Sequence, residues 1–252
     1  MEPNKEQQYT YITAQKNAQR KAIAVLLDPD KYAHPNQVPY SEITKAKPDF
    51  IFVGGSGINH SIDDFVLDLK KQLTIPIVLF PGGAQQFSPH ADSLLLLSLV
   101  SGRNPDLLIG QHIQAAQTIV KSNIEVLPTG YILIDGGNLS SVARVSQTQP
   151  ISTNDTNLIV STALAAQLLG MKLIYLEAGS GATHTIPSTI IQTVKQAITL
   201  PLIVGGGICS IQQIDTILQA GADIIVIGNH FESHPNDIVP FSHYVHNWSV
   251  HK

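Results

Sequence analysis

The chain has only one thiol, which limits the chemistry that can be expected of it. Cys209 is the single cysteine among 252 residues, so an intrachain disulfide is impossible and a reducing cytoplasm is the expected location. Cys209 lacks the paired histidine that would be expected of a nucleophilic cysteine, and it falls where a helix should begin. We therefore expect it to be a small buried apolar residue.

Charge is also scarce, and neither sign is in large excess. Asp, Glu, Lys and Arg make up 13% of the residues and the net charge is −4, so the basic footprint of a nucleic-acid-binding protein is missing. The longest dense apolar stretch, residues 93–100, is far shorter than the ~20 residues of a membrane-spanning helix. The first eight residues lack the charged and apolar regions of a signal peptide, which again favours the cytoplasm.

What the chain does have is a regular series of apolar runs bounded by turn residues. These runs predict eight strands, at Lys21–Asp28, Phe50–Gly54, Pro76–Phe80, Ser93–Leu99, Tyr131–Ile134, Leu173–Glu177, Leu202–Val204 and Asp223–Ile227. Amphipathic segments between them predict helices, most clearly at Asp106–Lys121, Thr156–Gly170, Pro187–Ile198 and Ser210–Ala220. Strands and helices that alternate in this way predict an α/β fold, a (β/α)8 TIM barrel forming one domain over residues 1–252.

Two connections differ from the rest. Residues Gly82–His90, after the third strand, are too few and too broken by Gly and Pro to form an ordinary helix. One barrel helix is therefore expected to be reduced or missing, which would open a wall beside the Leu-rich fourth strand. Ser146–Asn157 is polar and predicts a loop before a helix.

Glycine-rich turns follow the last three predicted strands. They are Gly179–Gly181, Gly205–Gly207 and Gly228–Asn229. Each alone would be an ordinary tight turn. Three in succession predict a phosphate site of bare backbone amides at the mouth of the barrel, where the loops after strands seven and eight commonly hold such a group.

Two oxygen-bearing residues follow the first two strands. Asp28 is either a turn-capping aspartate or a Mg²⁺ ligand at the barrel mouth. Ser56 could contribute a hydroxyl to the same ion, and its alternative is an N-cap or turn serine. His230 and His234 have the spacing of a metal-binding pair, but Pro235 disfavours a continuous helix and no third ligand is evident, so we expect no structural metal there.

Glu177 is the most informative single residue. It ends the sixth strand among apolar neighbours, where burial would raise its pKa and make it a usable general base. The alternative, a salt-bridged barrel residue, is equally compatible with the local sequence. Tyr175 lies two positions earlier, so both side chains should point to the same side of the strand.

Eight segments together resemble one enzyme family. They are LeuLeuAspProAspLys (26–31), PheValGlyGlySerGly (52–57), ProIleValLeuPheProGly (76–82), LeuLeuSerLeuValSerGlyArgAsnPro (96–105), LeuProThrGlyTyrIleLeuIleAsp (127–135), TyrLeuGluAlaGlySerGlyAla (175–182), ValGlyGlyGlyIle (204–208) and IleGlyAsn (227–229). Their ordered set is similar to the geranylgeranylglyceryl phosphate synthase family, in its subgroup with the AlaGlySerGly loop. The resemblance implies a Mg²⁺-dependent prenyltransferase that joins sn-glycerol 1-phosphate to geranylgeranyl or a similar polyprenyl diphosphate through an ether bond.

The resemblance also implies roles for single residues. Asp28 and Ser56 would bind Mg²⁺, and Glu177 would be the base. Glycerol phosphate would be bound by Tyr175, Leu176, Glu177, Ala178, Gly179, Ser180, Gly181, Gly206, Gly207, Gly228 and Asn229. Some members have a Lys where this chain has Leu26, so that charge contact to phosphate is absent here. The family resemblance further implies homo-oligomers, for which the amphipathic Asp106–Lys121 segment offers a surface, and a transient membrane contact for the lipid substrate.

Other activities remain compatible with the residues alone. An isomerase or lyase acting on a sugar phosphate would share the glycine turns without needing Mg²⁺ or an apolar trough. A non-catalytic phospho-ligand-binding protein would also share them, because a fold does not fix a function. An apolar trough for a prenyl chain would be expected at the weakened wall, Gly82–His90. The alternative is that this part of the barrel has a well-packed core.

Overall fold

The structure is a computed structural model that describes residues 6–32, 37–55, 57, 60–138 and 140–249. Eight parallel strands pair in sequence order, and β8 pairs with β1 to close the barrel. The strands are β1 (Ala22–Leu27), β2 (Phe50–Val53), β3 (Ile77–Leu79), β4 (Ser93–Leu99), β5 (Glu125–Leu133), β6 (Leu173–Glu177), β7 (Leu202–Gly205) and β8 (Ile224–Ile227). The predicted TIM barrel is confirmed.

Helices surround this sheet in the described part of the chain. They are α1 (Gln7–Asn17), α2 (Tyr40–Ala46), α3 (Ile62–Gln72), α4 (Gln111–Ser122), α5 (Ser141–Ser146), α6 (Thr156–Leu168), α7 (Ser188–Ala197), α8 (Ile211–Gln219), α9 (Asn229–Ser233) and α10 (Ile238–His246). A 3₁₀ turn, Pro29–Lys31, follows β1, and a π-helical turn, Asp106–Gly110, precedes α4. None of the helices described is long and apolar enough to cross a membrane.

Two predicted boundaries were wrong. β5 begins at Glu125 rather than Tyr131, because Pro128 and Gly130 interrupt the apolar pattern while the strand still pairs with β4 along its length. The segment predicted as a polar loop, Ser146–Asn157, starts in the last residue of α5 and ends in the first turn of α6, and its Ile151 bridges to Ile134 beside the sheet.

Strand alternation divides the core into two layers. One set of side chains fills the barrel interior and includes Phe50, Phe52, Tyr131 and Tyr175. The alternate set packs between sheet and helices. A residue's position in this alternation therefore decides whether its side chain faces the interior of the barrel or its helices.

The wall between β3 and β4 has no helix, as predicted: residues 80–92 form turns and irregular chain. Two glutamines fix this segment. Gln86 donates from Nε2 to the Gly55 carbonyl at 2.9 Å, and the Ala84 amide donates to Gln111 Oε1 at 2.7 Å. The space that a helix would fill is therefore bordered by an ordered loop on one side and α4 on the other.

The opposite end of the barrel is covered by α1. The amides of Gln8 and Tyr9 donate to the buried Glu125 carboxylate at 2.7 and 2.8 Å, and Ile12 packs into the barrel interior. Glu125 is thus used at the N-terminal end of the barrel, and the C-terminal mouth is left for ligands.

Candidate functional site

A cavity of about 630 Å³ opens at the C-terminal ends of the strands. One half is polar and lies at the loops after β6, β7, β8 and β1. The other half is apolar and extends through the helix-free wall beside β4. The residues that matter below are in its lining, which includes Leu26, Asp28, Lys31, Phe87, Leu94, Leu96, Ala115, Ile119, Tyr131, Tyr175, Glu177, Gly179, Ser180, Gly181, Gly206, Gly207, Cys209, Gly228, Asn229 and Glu232.

The polar half presents backbone amides from the loops after β6 and β7. Within the described residues, the N–H groups of Ser180, Gly181, Gly206 and Gly207 donate no hydrogen bond. The Ser180 hydroxyl donates to Asn229 Oδ1 at 3.0 Å, which joins the loop after β6 to the loop after β8. Unpaired amides from neighbouring loops are the arrangement that binds a phosphate group.

Gly206 shows why this loop requires glycine. Its φ is +89°, and a Cβ there would lie 2.6 Å from Glu177 Oε1 and 2.9 Å from the Gly179 nitrogen. Any side chain would therefore separate the two loops and displace the carboxylate.

Two residues predicted to bind substrate have side chains outside the cavity. Leu176 and Ala178 pack against the helices in the outer core layer, because they alternate with Tyr175 and Glu177 along the chain. The side chains of Leu176 and Ala178 therefore point away from the cavity, so their predicted substrate contact would have to come from their backbone atoms.

Glu177 is buried at the mouth, with 7% of its surface exposed. Burial raises the pKa of Glu177 to about 7. The Gly179 amide, which donates to Glu177 Oε1 at 2.7 Å, and the facing hydroxyls of Tyr175 and Tyr131 oppose that rise. A carboxylate with this pKa exchanges a proton readily near neutral pH.

Tyr131 is a site residue that the sequence analysis missed. It pairs with Tyr175 across β5 and β6, and their ring centroids are 5.1 Å apart. The Tyr175 hydroxyl is buried, faces Glu177 and has no hydrogen bond of normal geometry among the described atoms. Tyr131 lies within the strand predicted from the sequence, but its place beside Tyr175 depends on the register between β5 and β6, which strand alternation alone does not give.

Asp28 directly follows β1 at the cavity wall and is half buried, which raises its pKa. Its Oδ1 accepts the Asp30 amide at 3.0 Å, so it caps the 3₁₀ turn and faces the cavity at once. The predicted partner Ser56 lies outside the described residues. Lys31 and Glu232 interact electrostatically with Asp28, and neither had been singled out from the sequence.

Cys209 and His234 lie near the cavity, at the starts of α8 and of the turn after α9. Cys209 is exposed at the cavity rim, so its predicted burial was wrong. Its amide and thiol both donate to Gln213 Oε1, which holds it outside the first turn of α8. α9 ends before His234, and no group of three His, Cys, Asp or Glu suited to a metal occurs in the described chain.

The apolar half of the cavity lies on the outer face of β4. Leu94 and Leu96 line it from the strand, Ala115 and Ile119 from α4, and Phe87 from the helix-free loop. Leu94 is near the start of β4, so the trough runs from the mouth back along the strand for about 17 Å at 3.3 Å per residue. The place predicted for a trough is therefore hollow rather than packed.

Comparison with known proteins places this arrangement in a family. The model of the PcrB family matches residues 16–241. The chain belongs to the PcrB family. Relatives of this PcrB-family chain are named geranylgeranylglyceryl phosphate synthase. The relative from Flavobacterium johnsoniae is 47% identical over 224 residues, which are 88% of this chain and 92% of that protein. The relative from Zunongwangia profunda is 46% identical over 215 residues, which are 85% of this chain and 92% of that protein. The motif resemblance is thereby confirmed.

A solved structure agrees with the family assignment. The (S)-3-O-geranylgeranylglyceryl phosphate synthase of Thermoplasma acidophilum, in complex with its substrate sn-glycerol-1-phosphate, matches with a TM-score of 0.87. It is 30% identical, and the match covers 95% of this PcrB-family chain and 98% of that one. The similarity therefore extends over both the barrel and the loops that form its mouth.

Proposed function

We propose that this chain is a prenyltransferase that joins sn-glycerol 1-phosphate to geranylgeranyl diphosphate, or a similar polyprenyl diphosphate, through an ether bond. The observation that carries the proposal is one continuous cavity containing unpaired loop amides, a buried carboxylate and an apolar trough. A phosphate, a hydroxyl to be deprotonated and a hydrocarbon chain match these three parts in turn. The names of the relatives support the same reaction.

The proposed step forms one bond and breaks another. The glycerol hydroxyl oxygen attacks the allylic carbon, a C–O bond forms, and the bond from that carbon to the diphosphate oxygen breaks, with the electron pair leaving on the diphosphate. Glu177 accepts the hydroxyl proton. The loop amides fix the phosphate end of glycerol phosphate, which orients its hydroxyl and turns a bimolecular encounter into an oriented one.

The leaving diphosphate is expected to need Mg²⁺, and the donor chemistry near Asp28 fits that ion. Mg²⁺ prefers hard oxygen ligands and is usually held by one or two carboxylates together with substrate phosphates. Asp28 offers such a carboxylate at the cavity wall, and we propose Ser56 as its partner. Bound there, the ion would neutralise the diphosphate and make it a better leaving group.

We also propose a homo-oligomer whose contact includes the outer side of α4 and the turn before it. Ile109, Ile113 and Val120 lie there, exposed by 55%, 69% and 76%. Side chains of this size and exposure in one stripe are typical of a protein contact. Light scattering at micromolar concentration should show more than a monomer, and Ile113→Glu should shift it towards the monomer.

The compartment and the lipid contact are proposals as well. An exposed thiol at Cys209 suits the reducing cytoplasm, and the prenyl substrate would be taken up during brief contact with a membrane surface. Co-sedimentation with vesicles that contain a prenyl diphosphate should exceed co-sedimentation with the same vesicles lacking it.

Product analysis tests the main proposal. The protein is incubated with sn-glycerol 1-phosphate, Mg²⁺ and a series of prenyl diphosphates, and an ether product and free diphosphate are expected in equal amounts. Turnover of sugar phosphates without Mg²⁺ or prenyl diphosphate would instead indicate an isomerase or lyase. Binding of glycerol phosphate without product would indicate a binding protein.

A further inference from the structure

The cavity has an unusual charge balance for a site that takes two anions. Three carboxylates line it, those of Asp28, Glu177 and Glu232. Of the lysines and arginines in the described chain, Lys31 is the one that lines it. Phosphate and diphosphate groups entering this cavity therefore meet three carboxylates and, among the residues that the structure describes, the one permanently charged cation of Lys31.

The backbone of Lys31 is held in a fixed position. Its amide donates to the Asp28 carbonyl at 2.9 Å, and the Asp28 side chain accepts the Asp30 amide in the same turn. Pro29 is buried in the first position of this 3₁₀ turn and restricts its backbone further. Lys31 and Asp28 are thus presented together by one rigid turn at the end of β1.

The side chain of Lys31 is available to a ligand. It is exposed, and within the described residues it forms no hydrogen bond or ion pair. Lys31, Asp28 and Glu232 line the same cavity, and the charge of Lys31 acts to lower the pKa of both carboxyl groups. As far as the described residues show, this cation beside two carboxylates can bind an anion that arrives with a metal ion.

The glycerol phosphate loops lie against a different part of β1. The side chain of Leu26 faces Gly228 there, with its Cδ2 3.2 Å from where a glycine Cβ would be. Because Leu26 is apolar, β1 supplies no charge to those loops, which offer backbone amides instead. Among the described residues, the lysine on this edge of the cavity is therefore in the turn with Asp28, and Leu26 brings no charge.

We propose that Lys31 binds the diphosphate of the prenyl substrate and neutralises charge on it as it leaves. This inference rests on the proposed function. The diphosphate carries more negative charge than one divalent ion cancels, and Asp28 and Glu232 add to that excess. A lysine ammonium is a compact charge on a flexible stem, which suits a group whose negative charge increases during the reaction.

Calorimetric titration with inorganic pyrophosphate in excess Mg²⁺ tests the proposal without turnover. Lys31→Met should weaken pyrophosphate binding by roughly 10- to 100-fold, the scale of one charged hydrogen bond. Lys31→Arg should recover part of that loss. Lys45→Met is the matched control, because it removes the same charge from an exposed position on α2 that does not line the cavity, and its affinity should equal that of the wild type.

A second titration, with sn-glycerol 1-phosphate, separates the two anion sites. Lys31→Met should bind it within about twofold of the wild type. The proposal is overturned if Lys31→Met binds pyrophosphate as tightly as Lys45→Met does, or if it loses glycerol phosphate and pyrophosphate equally. The proposed function would fail by a different result. The wild-type protein would bind pyrophosphate more tightly than Lys31→Met does, but product analysis would show no ether.

Discussion

The backbone amide of Gly179 donates to Glu177 Oε1 at 2.7 Å, so the loop that offers amides to a phosphate also fixes the proposed base. Gly206 lies against the same carboxylate oxygen from the loop after β7. The Glu177 carboxylate and the two glycine loops therefore form one unit, in which displacing either loop displaces the carboxylate.

Glu177→Gln should bind sn-glycerol 1-phosphate within a few-fold of the wild type but form the ether ~100- to 10,000-fold more slowly, the range of general-base contributions. Gln retains the size of Glu and an oxygen that can accept the Gly179 amide, while it loses basicity. Single-turnover product formation and calorimetric binding measure the two effects. Glu125→Gln is the control: it should weaken the attachment of α1 and lower thermal stability, while the folded protein turns over normally.

The pH dependence should follow Glu177, whose pKa is about 7 because it is buried. The carboxylate must be unprotonated to accept a proton, so turnover should fall about tenfold per pH unit below 7 and level off above it. A pH profile that stays flat between 5.5 and 8, with the bond-forming step rate-limiting, would exclude this assignment.

The same pKa makes a prediction about stability. The pKa of Glu177 is higher in the folded state than the ordinary value of 4.5, so its favourable contribution is fully present below about pH 4.5 and is lost as the pH rises to about 7. Gln does not ionise, so Glu177→Gln lacks this fall in the free energy of unfolding. Urea unfolding should show the variant gaining up to roughly 3 kcal/mol on the wild type between pH 4.5 and pH 8.

Asp28→Asn should fold and bind glycerol phosphate but lose most activity, because a neutral amide is a much poorer Mg²⁺ ligand than a carboxylate. Asn keeps an oxygen that can accept the Asp30 amide, so the 3₁₀ turn should persist. Asp68→Asn, the same change outside the cavity lining, serves as the comparison. Near-normal turnover of Asp28→Asn at limiting Mg²⁺ would show that Asp28 is not a ligand.

Much of this architecture could be predicted from the sequence, because turns after apolar runs mark strand ends clearly. Glu177 and the glycine loops were found in this way. Tyr131 was missed because the register that pairs it with Tyr175 cannot be deduced from the alternation of one strand, and Cys209 was misplaced because hydropathy does not show on which side of a turn a residue lies. Leu176 and Ala178 were included because the family resemblance covers every residue of the segment 175–181. Along an extended chain, however, every second side chain points to the opposite face, which here is the helix side of the sheet.

Gly206→Ala should destabilise the protein and abolish measurable glycerol phosphate binding, since the added Cβ would lie 2.6 Å from Glu177 Oε1. Gly170→Ala provides a matched control: its φ is +87°, close to the +89° of Gly206, and nothing lies within 4 Å of its Cβ. It should cost only the roughly 1–2 kcal/mol of left-handed backbone strain and leave binding intact. Equal loss of binding in both variants would mean that backbone strain, rather than the close approach, is responsible.

Ala115→Phe should reduce turnover of a long prenyl diphosphate at least tenfold while a short one is used almost normally, because Ala115 lines the trough. Gln114→Phe adds the same ring one residue away, at an exposed position outside the lining, and should leave chain-length preference unchanged. Steady-state kinetics over a series of chain lengths measure the effect, and identical profiles for the two variants would refute a role for the trough.

The helix-free wall also leaves part of the outer face of β4 without packing against a helix when no substrate is bound. In a barrel with a helix at every position, the outer face of each strand is covered by the chain's own side chains, whereas here Leu94 and Leu96 line a hollow. A hydrocarbon chain lying in that hollow would take the place of the absent helix. The substrate, on this account, supplies part of the apolar packing that the polypeptide leaves unfinished.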